Sequence, residues 1–313
     1  MQQKSYNRII VVTDGLPSSE PTHETGLNLA RRNKCPVTLV DTVRPPSTIA
    51  RWFSANVSDV FEMVFADKKN RLEEYAQTFR DEGIETEAKV LLGKSSEVIT
   101  REAIDSEASL VVRYMKGVHS KFSGNVGNTA RGLMRICPAP VLLVNQVVLK
   151  NPKVVACLDP VHENGENQSI IDEAHRLSGA NSDLYGLYCW EMYGSDLLEK
   201  RMSPQAFEES VRYTKSMYQK VFDEFIKNHD TSMFGGGIEM QQGQPSFAIP
   251  RYCCENKVDV AVMCSATLHH PLRRYFGSTV EAMLEKLPCA LLAVKPVGFV
   301  SPLETAGTAE VAV

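Results

Sequence analysis

The sequence predicts an α/β protein of two tandem doubly wound domains, each a five-stranded parallel sheet of strand order 3-2-1-4-5 with helices on both faces. The chain has 313 residues, and an ordinary domain has roughly 150. Segments of the chain recur at an offset of 150 residues. Continuous apolar, β-branched runs alternate with amphipathic stretches, which is typical of strands covered on both faces by helices.

The internal repeat is visible in matched segments. Gly93–Ser96 corresponds to Gly243–Ser246, and each segment opens a helical pattern. Upstream, Asp14 and Asp159 each follow an apolar run and are offset by 145 residues. The second copy therefore carries about five extra residues between its first and third strands. Such a shared register indicates a duplication.

The elements follow from the same patterns. In the first half, the predicted strands are 8–13, 37–43, 86–92, 109–114 and 140–145. In the second half, Ser203 and Pro204 have the features of a helix N-cap and first helical residue. An apolar stripe at helical spacing follows and is predicted to be core. Its members are Phe207, Val211, Tyr218, Phe222 and Phe225.

We expect the first domain at 1–148, the second at 149–298 and a flexible tail at 299–313. The last strands, 140–145 and 290–295, are expected to pair within the chain as an internal pseudo-dimer, because bare sheet edges are avoided. Whether two chains also form a homodimer is open from the sequence.

The composition argues against nucleic-acid-binding, membrane and secreted proteins. The net charge of −4 argues against nucleic acid as a partner. No apolar run reaches the ~18–20 residues of a membrane helix, and the N-terminus lacks a signal-peptide pattern. We therefore expect a cytoplasmic protein without a membrane partner. In that reducing compartment the eight cysteines are expected to be mostly buried hydrophobic residues rather than disulfides.

Two positions at the ends of the first strands are candidate ligand contacts. In open doubly wound sheets, ligands bind beyond the carboxyl ends of the strands. Asp14 and Asp159 lie there, and a carboxylate at that place can bind a ribose hydroxyl, an adenine amine or a metal ion. It can also stabilise the turn or cap the next helix. Both interpretations stay open from the sequence.

The loop after the fourth strand is the second candidate. In the first half it contains Gly117 and Gly127, and glycines let backbone N–H groups approach an anion. Asn128 and Thr129 then begin a helix, where they could cap it or contact a phosphate. The second loop keeps the terminal Gly277 and carries basic side chains at 273–274.

These loops resemble those of the universal stress protein family, and the order of elements agrees from Ile9 to Pro296. ATP-binding members carry Gly-x-x-Gly, then nine residues, then Gly-Ser or Gly-Thr. In the first half the matching positions are Tyr114, Gly117, Gly127 and Asn128, followed by Thr129. In the second half they are Cys264, Thr267, Gly277 and Ser278, followed by Thr279. The first half keeps two of the three glycines and the second keeps the final Gly-Ser.

The resemblance, which is to E-type tandem members, implies a non-enzymatic stress-response protein with an ATP or related adenine-nucleotide site in one half. The loop glycines favour the first half. No catalytic or metal residue is assigned, slow ATP hydrolysis stays open, and protein partners are not identified.

Three alternatives remain. One is an adenine-nucleotide-using enzyme of the wider superfamily, although neither strand-1 loop has the Ser-Gly-Gly-x-Asp-Ser pattern of such enzymes. Another is a ligand-free scaffold that acts through protein partners. The third is a metal protein built on Cys253-Cys254, Cys264 and His269-His270. Adjacent cysteines on a helix point in different directions, which disfavours that metal site.

Overall fold

The computed structural model describes residues 5–14, 19–47, 56–115, 127–161, 165–179, 183–265, 278–284 and 286–307. The first half comprises β1 (Ile9–Val12), α1 (Glu20–Asn33), β2 (Val37–Val43), α2 (Val57–Asp81), β3 (Thr86–Leu92), α3 (Ser95–Asp105), β4 (Leu110–Tyr114), α4 (Asn128–Ile136) and β5 (Val141–Val144). The second half comprises β6 (Val154–Leu158), α5 (Glu166–Ser178), β7 (Leu184–Trp190), α6 (Ser195–Arg201), α7 (Pro204–Asn228), β8 (Ile238–Gln242), α8 (Pro245–Glu255), β9 (Val260–Cys264), α9 (Ser278–Met283) and β10 (Ala290–Val294), and α10 (Pro302–Gly307) follows.

The strands form a single ten-stranded sheet, in the order β3-β2-β1-β4-β5-β10-β9-β6-β7-β8. Each half therefore has the predicted order 3-2-1-4-5. All neighbours within a half are parallel. At the centre, β5 and β10 are antiparallel, with Leu142 opposite Leu292. The expected pairing of the two last strands within one chain is confirmed.

The core lies on both faces of this sheet, as the continuous apolar strands predict. All four residues of β1 and all five of β10 are buried. Each of the two hydrophobic layers contains buried side chains from both halves. The two halves thus share their core across the β5–β10 junction.

The expectation that the apolar stripe of the long helix α7 is core is only partly met. Ser203 caps it as predicted, since its Oγ accepts a hydrogen bond from the Ala206 N–H at 3.3 Å. The apolar stripe is not all core, however: Phe225 alone among the α7 residues is buried. A 25-residue helix is about 37 Å long, whereas the seven-residue strand β7 spans about 23 Å. The N-terminal part of α7 therefore extends past the sheet.

Among the described helices, none is long and apolar enough to cross a membrane.

The segment between the halves packs on the first half, because the Val148 N–H donates to Thr25 Oγ1 at 2.9 Å. The expectation of a flexible tail from residue 299 is wrong for its first part. Ser301 is fully buried and its hydroxyl donates to the Ile136 carbonyl at 2.7 Å, just before helix α10.

A buried lysine bridges the two halves beside the junction. Lys295, which follows β10, is 8% exposed. Its Nζ donates to Ser265 Oγ at 2.9 Å and to the Met134 carbonyl near the end of α4. The negative end of a helix dipole favours a cation there. Burial nevertheless lowers the pKa of Lys295 to about 8.

Because the pKa of Lys295 is lowered, its burial reduces the free energy of unfolding by an amount that depends on pH. Lys295→Met should remove this pH dependence. An unfolded lysine has a pKa of about 10.4, so between pH 8 and 10.4 the unfolded chain binds more protons than the folded one. The contribution of Lys295 to the free energy of unfolding therefore rises with pH across that interval, by about 3 kcal/mol in total.

The measurement is urea unfolding of wild type and Lys295→Met at pH 7.5 and 10. We expect wild type to gain stability relative to the variant as the pH rises, because the variant has no amine to titrate. Lys220→Met, at an exposed position, serves as the control and should keep a constant difference from wild type. A constant difference for Lys295→Met would contradict the prediction.

Candidate functional site

A cavity of about 200 Å³ lies at the carboxyl ends of β6, β7 and β9 in the second half. Helices α5, α8 and α9 complete its wall, so it occupies the place where a doubly wound sheet binds ligands. Most of the lining is apolar. The apolar lining includes Cys157, Ile170, Leu187, Ile249, Met263 and Val280.

The rim of this cavity is polar and is held by an asparagine. Asn167 is almost fully buried. Its Oδ1 accepts the Asp159 N–H at 2.8 Å, and its Nδ2 donates to the Asp159 carbonyl at 2.9 Å. The backbone at the end of β6 is thereby fixed, and the exposed Asp159 side chain lines the cavity together with half-buried Cys264. Two of the residues selected from the sequence, Asp159 and Cys264, thus meet at one site.

The matching aspartate of the first half has a different environment. Ser19, which directly precedes α1, donates from its hydroxyl to Asp14 Oδ1 at 2.8 Å. The Ser19 and Thr13 hydroxyls lie 3.2 Å apart. Asp14 therefore links the end of β1 to the start of α1, which is a structural role for a strand-end aspartate.

The space between α2 and the ends of β1 and β2 is nearly filled. Lys68 Nζ of α2 lies 2.7 Å from Asp41 Oδ2 of β2. The described residues around this ion pair, including Asp14 and Tyr75, enclose about 10 Å³. That volume is at the lower limit for one water molecule, about 10–15 Å³. This small cavity lies on the α2 side of the sheet and is not the counterpart of the second-half cavity.

The remaining selected residues lie around the β4 and β9 loops. Tyr114 ends β4 and is half-buried, and Gly127 precedes α4 with a φ of −58°, which any residue can adopt. Asn128 and Thr129 open α4. Ser278 and Thr279 open α9, and their side chains are outside the described part of the chain. Also outside it are Gly117, Thr267, His269, His270, Arg273, Arg274 and Gly277.

Three cysteines of the second half, Cys157, Cys189 and Cys264, line the cavity. Burial raises the pKa of the Cys157 thiol well above its usual value and that of Cys189 to about 12. On α8, Cys253 is buried and Cys254 is exposed, so the two adjacent side chains diverge as predicted. All eight cysteines are free, and five are buried.

The strand residues that line the cavity were not predicted from the sequence. The predicted site residues are at loops and strand ends, whereas Cys157, Leu187 and Met263 lie within strands. At the 150-residue offset, Met263 of the second half corresponds to Arg113 of the first half. That exchange of an apolar for a charged residue was a signal that could have pointed to this wall.

Among known protein families, residues 5–145 match the model described as the Universal stress protein family. This match spans the first half of the chain, from the residues before β1 to the end of β5.

Curated relatives extend over both halves. Universal stress protein E of Photorhabdus laumondii is 20% identical over 96% of this chain and 99% of its own length. Universal stress protein E of Escherichia coli K12 is 22% identical over 77% of this chain and 78% of its own. The Universal stress protein E homolog of Haemophilus influenzae is 21% identical over 76% and 79%.

Solved structures show the same tandem fold. A functionally unknown protein from Pseudomonas aeruginosa PAO1 superimposes with a TM-score of 0.65 at 17% identity, covering 97% of this chain and 98% of that one. A universal stress protein from Archaeoglobus fulgidus gives 0.60 at 15% identity, covering 94% and 99%.

The thiol environments predict an order of chemical labelling. Because the thiolate is the nucleophile, we expect iodoacetamide at pH 8 to modify exposed Cys254 first and Cys189 far more slowly. With a pKa of about 12 in place of an ordinary 8.5, the thiolate fraction of Cys189 falls about a thousandfold. Peptide mass spectrometry over a time course measures both rates, and Cys254→Ser should lose the fast-labelled peptide. Labelling of Cys189 at the rate of Cys254 would contradict the assignment.

Proposed function

We propose that this chain is a tandem member of the universal stress protein family, similar to its E type. We further propose that it is a non-enzymatic stress-response protein that binds the adenine ring of a nucleotide such as ATP in its second half. The observation that carries this proposal is the cavity of about 200 Å³ at the carboxyl ends of β6, β7 and β9. It combines apolar walls with a carboxylate at its rim.

The chemistry of the cavity suits one planar ring. Ligand sites are typically apolar with a few polar groups that orient the ligand, and drug-sized ligands need roughly 300–1,000 Å³. The smaller cavity here supports a base between Leu187 and Met263, with ribose and phosphates outside it. The Asp159 carboxylate at the rim can accept a hydrogen bond from an exocyclic amine or a ribose hydroxyl.

We assign the adenine site to one half from the geometry of the strand ends and not from the loop glycines. Gly117 and Gly127 favour the first half by sequence. In the described residues, however, Asp14 accepts a hydrogen bond from Ser19 just before α1, whereas Asp159 lines a cavity. We therefore assign the adenine site to the second half.

Binding without catalysis is the activity that this cavity supports. Its thiols Cys157 and Cys189 have raised pKa values because they are buried, so neither is an activated nucleophile at neutral pH. The free cysteines suit a reducing compartment, and we propose that the protein acts in the cytoplasm.

Adenosine is the probe that tests this site, because it carries the base and ribose without phosphate. We expect calorimetry of the full chain to show saturable binding. Asp159→Ala should weaken it about tenfold or more, since a hydrogen bond to a charged group contributes about 1.5–3 kcal/mol. Met263→Trp should abolish binding by filling the cavity.

Asp14→Ala is the matched control and should bind adenosine like wild type. Unfolding curves of each variant check that the fold is kept. Absence of saturable heat with both adenosine and ATP would overturn the proposal and leave a ligand-free scaffold. Loss of binding in Asp14→Ala with retention in Asp159→Ala would place the site in the first half instead.

A further inference from the structure

The ten-stranded sheet ends in two edge strands that the duplication makes equivalent. They are β3 in the first half and β8 in the second, and among the described strands each pairs with one neighbour only. An edge strand presents unpaired backbone N–H and C=O groups. Proteins either protect such an edge with charged side chains or use it to bind another strand.

The edge of β3 is protected by charged side chains. Arg80, near the end of α2, donates from its guanidinium Nε and Nη2 to the Thr86 carbonyl at 3.2 and 3.0 Å. Lys89 of the same strand forms ion pairs with Glu87 at 3.0 Å and with Glu102 at 2.9 Å. A further strand would have to displace Arg80 and approach this cluster of charges.

The helix beside β8 lacks the residue that protects β3. The last buried residue of each long helix is Phe79 in α2 and Phe225 in α7. The next residue is Arg80 in the first half but Ile226 in the second. An apolar side chain cannot donate to an edge carbonyl, so α7 does not repeat the contact that α2 makes.

Three residues of β8 direct both backbone groups away from the sheet. The Gly186 N–H of β7 donates to the Gly237 carbonyl at 2.9 Å, and the Gly243 N–H donates to the Trp190 carbonyl at 2.8 Å. Because the backbone groups of successive strand residues alternate in direction, every second residue between these bonds points outward. In the described part of the chain, no hydrogen bond reaches these outward groups. The outward residues are Ile238, Met240 and Gln242.

We propose that a second copy of this chain pairs with β8 along its free edge, antiparallel and about a two-fold axis at Met240. The interface is self-complementary, as a two-fold contact requires. It goes beyond the adenine site and is separate from it, since the described lining of that cavity contains no β8 residue.

The register about this axis matches the groups that β8 offers. Met240 lies opposite the partner's Met240, and Ile238 lies opposite the partner's Gln242. All three outward residues then form pairs that exchange two backbone hydrogen bonds each, about six in total. On the other face Glu239, the one ionisable side chain of β8, meets the partner's Gln241. A carboxylate therefore faces an amide donor instead of a second carboxylate.

The size of this contact sets its strength. β8 has five residues and spans about 17 Å. Interfaces carry about one hydrogen bond per 100–200 Å², so these bonds correspond to roughly 600–1,200 Å² in total. Stable interfaces bury about 1,200–2,000 Å². We therefore expect a reversible dimer with a dissociation constant on the order of micromolar.

Sedimentation of the full chain, over a concentration series that brackets the micromolar range, measures this equilibrium. We expect wild type to shift from monomer to dimer. Met240→Lys should weaken the dimer about tenfold, because like charges directly opposite each other are destabilising and the apolar contact at the axis is lost. Val90→Lys is the matched control at the corresponding position of β3 and should dimerise like wild type.

Gln241→Glu and Gln241→Lys form a second pair of variants for the case in which Met240→Lys does not fold. In the proposed register each change acts twice, opposite the partner's Glu239. Glutamate brings like charges together and should weaken the dimer several-fold, whereas lysine brings opposite charges together and should preserve it. Unfolding curves check that each variant keeps its fold.

The proposal is overturned if wild type stays monomeric throughout the series, or if a folded Met240→Lys or Gln241→Glu dimerises as wild type does. It is also overturned if Val90→Lys loses the dimer as Met240→Lys does, or if Gln241→Lys dimerises as poorly as Gln241→Glu. Sedimentation without ligand tests the dimer alone, so failure of the adenine site leaves this interface untouched.

Discussion

The antiparallel pairing of β5 with β10 is the contact on which the rest of the architecture depends. Each half would otherwise expose a completely apolar edge strand, which is an aggregation hazard. Pairing Leu142 with Leu292 converts two five-stranded sheets into one and removes both edges from solvent. It also allows each core layer to continue from one half into the other. Buried Lys295 then fastens β10 to the end of α4.

The same pairing separates the ligand-binding edges of the two halves. Because β5 and β10 run in opposite directions, the carboxyl ends of the strands in the two halves point to opposite edges of the common sheet. Ligands in doubly wound sheets bind at those ends. The cavity beside Asp159 and the strand ends beside Asp14 therefore lie at different edges of the sheet, and one ligand cannot span both. The duplication provides two independent positions in which side chains can diverge.

Around the cavity, the two halves differ in side chains on the same frame of strands. The two halves have equal strand order and matching registers, yet Met263 and Pro245 line an apolar cavity where Arg113 and Ser95 stand in the other copy. Exchanging apolar and charged residues at a strand end leaves the hydrogen-bonded ladder intact, because strand pairing uses backbone groups. A duplicated fold can thus change the side chains at the strand ends of one half without changing its topology.

The sequence by itself determined the strands, their order and the duplication, because buried parallel strands are continuous apolar runs and a repeat preserves their register. The strand predicted at 86–92 is β3 itself, and 37–43 is β2. Periodicity showed which face of α7 is apolar, but not how much of it is covered. Tyr218 and Phe222 contact the rings of β7 residues, yet Phe225 is the one buried residue of the helix. Only the tertiary structure decided that Asp14 bonds to Ser19 at the start of α1 while Asp159 lines a cavity. The reason is physical: a cavity is bounded by side chains distant in sequence, and their meeting depends on which strands and helices become neighbours.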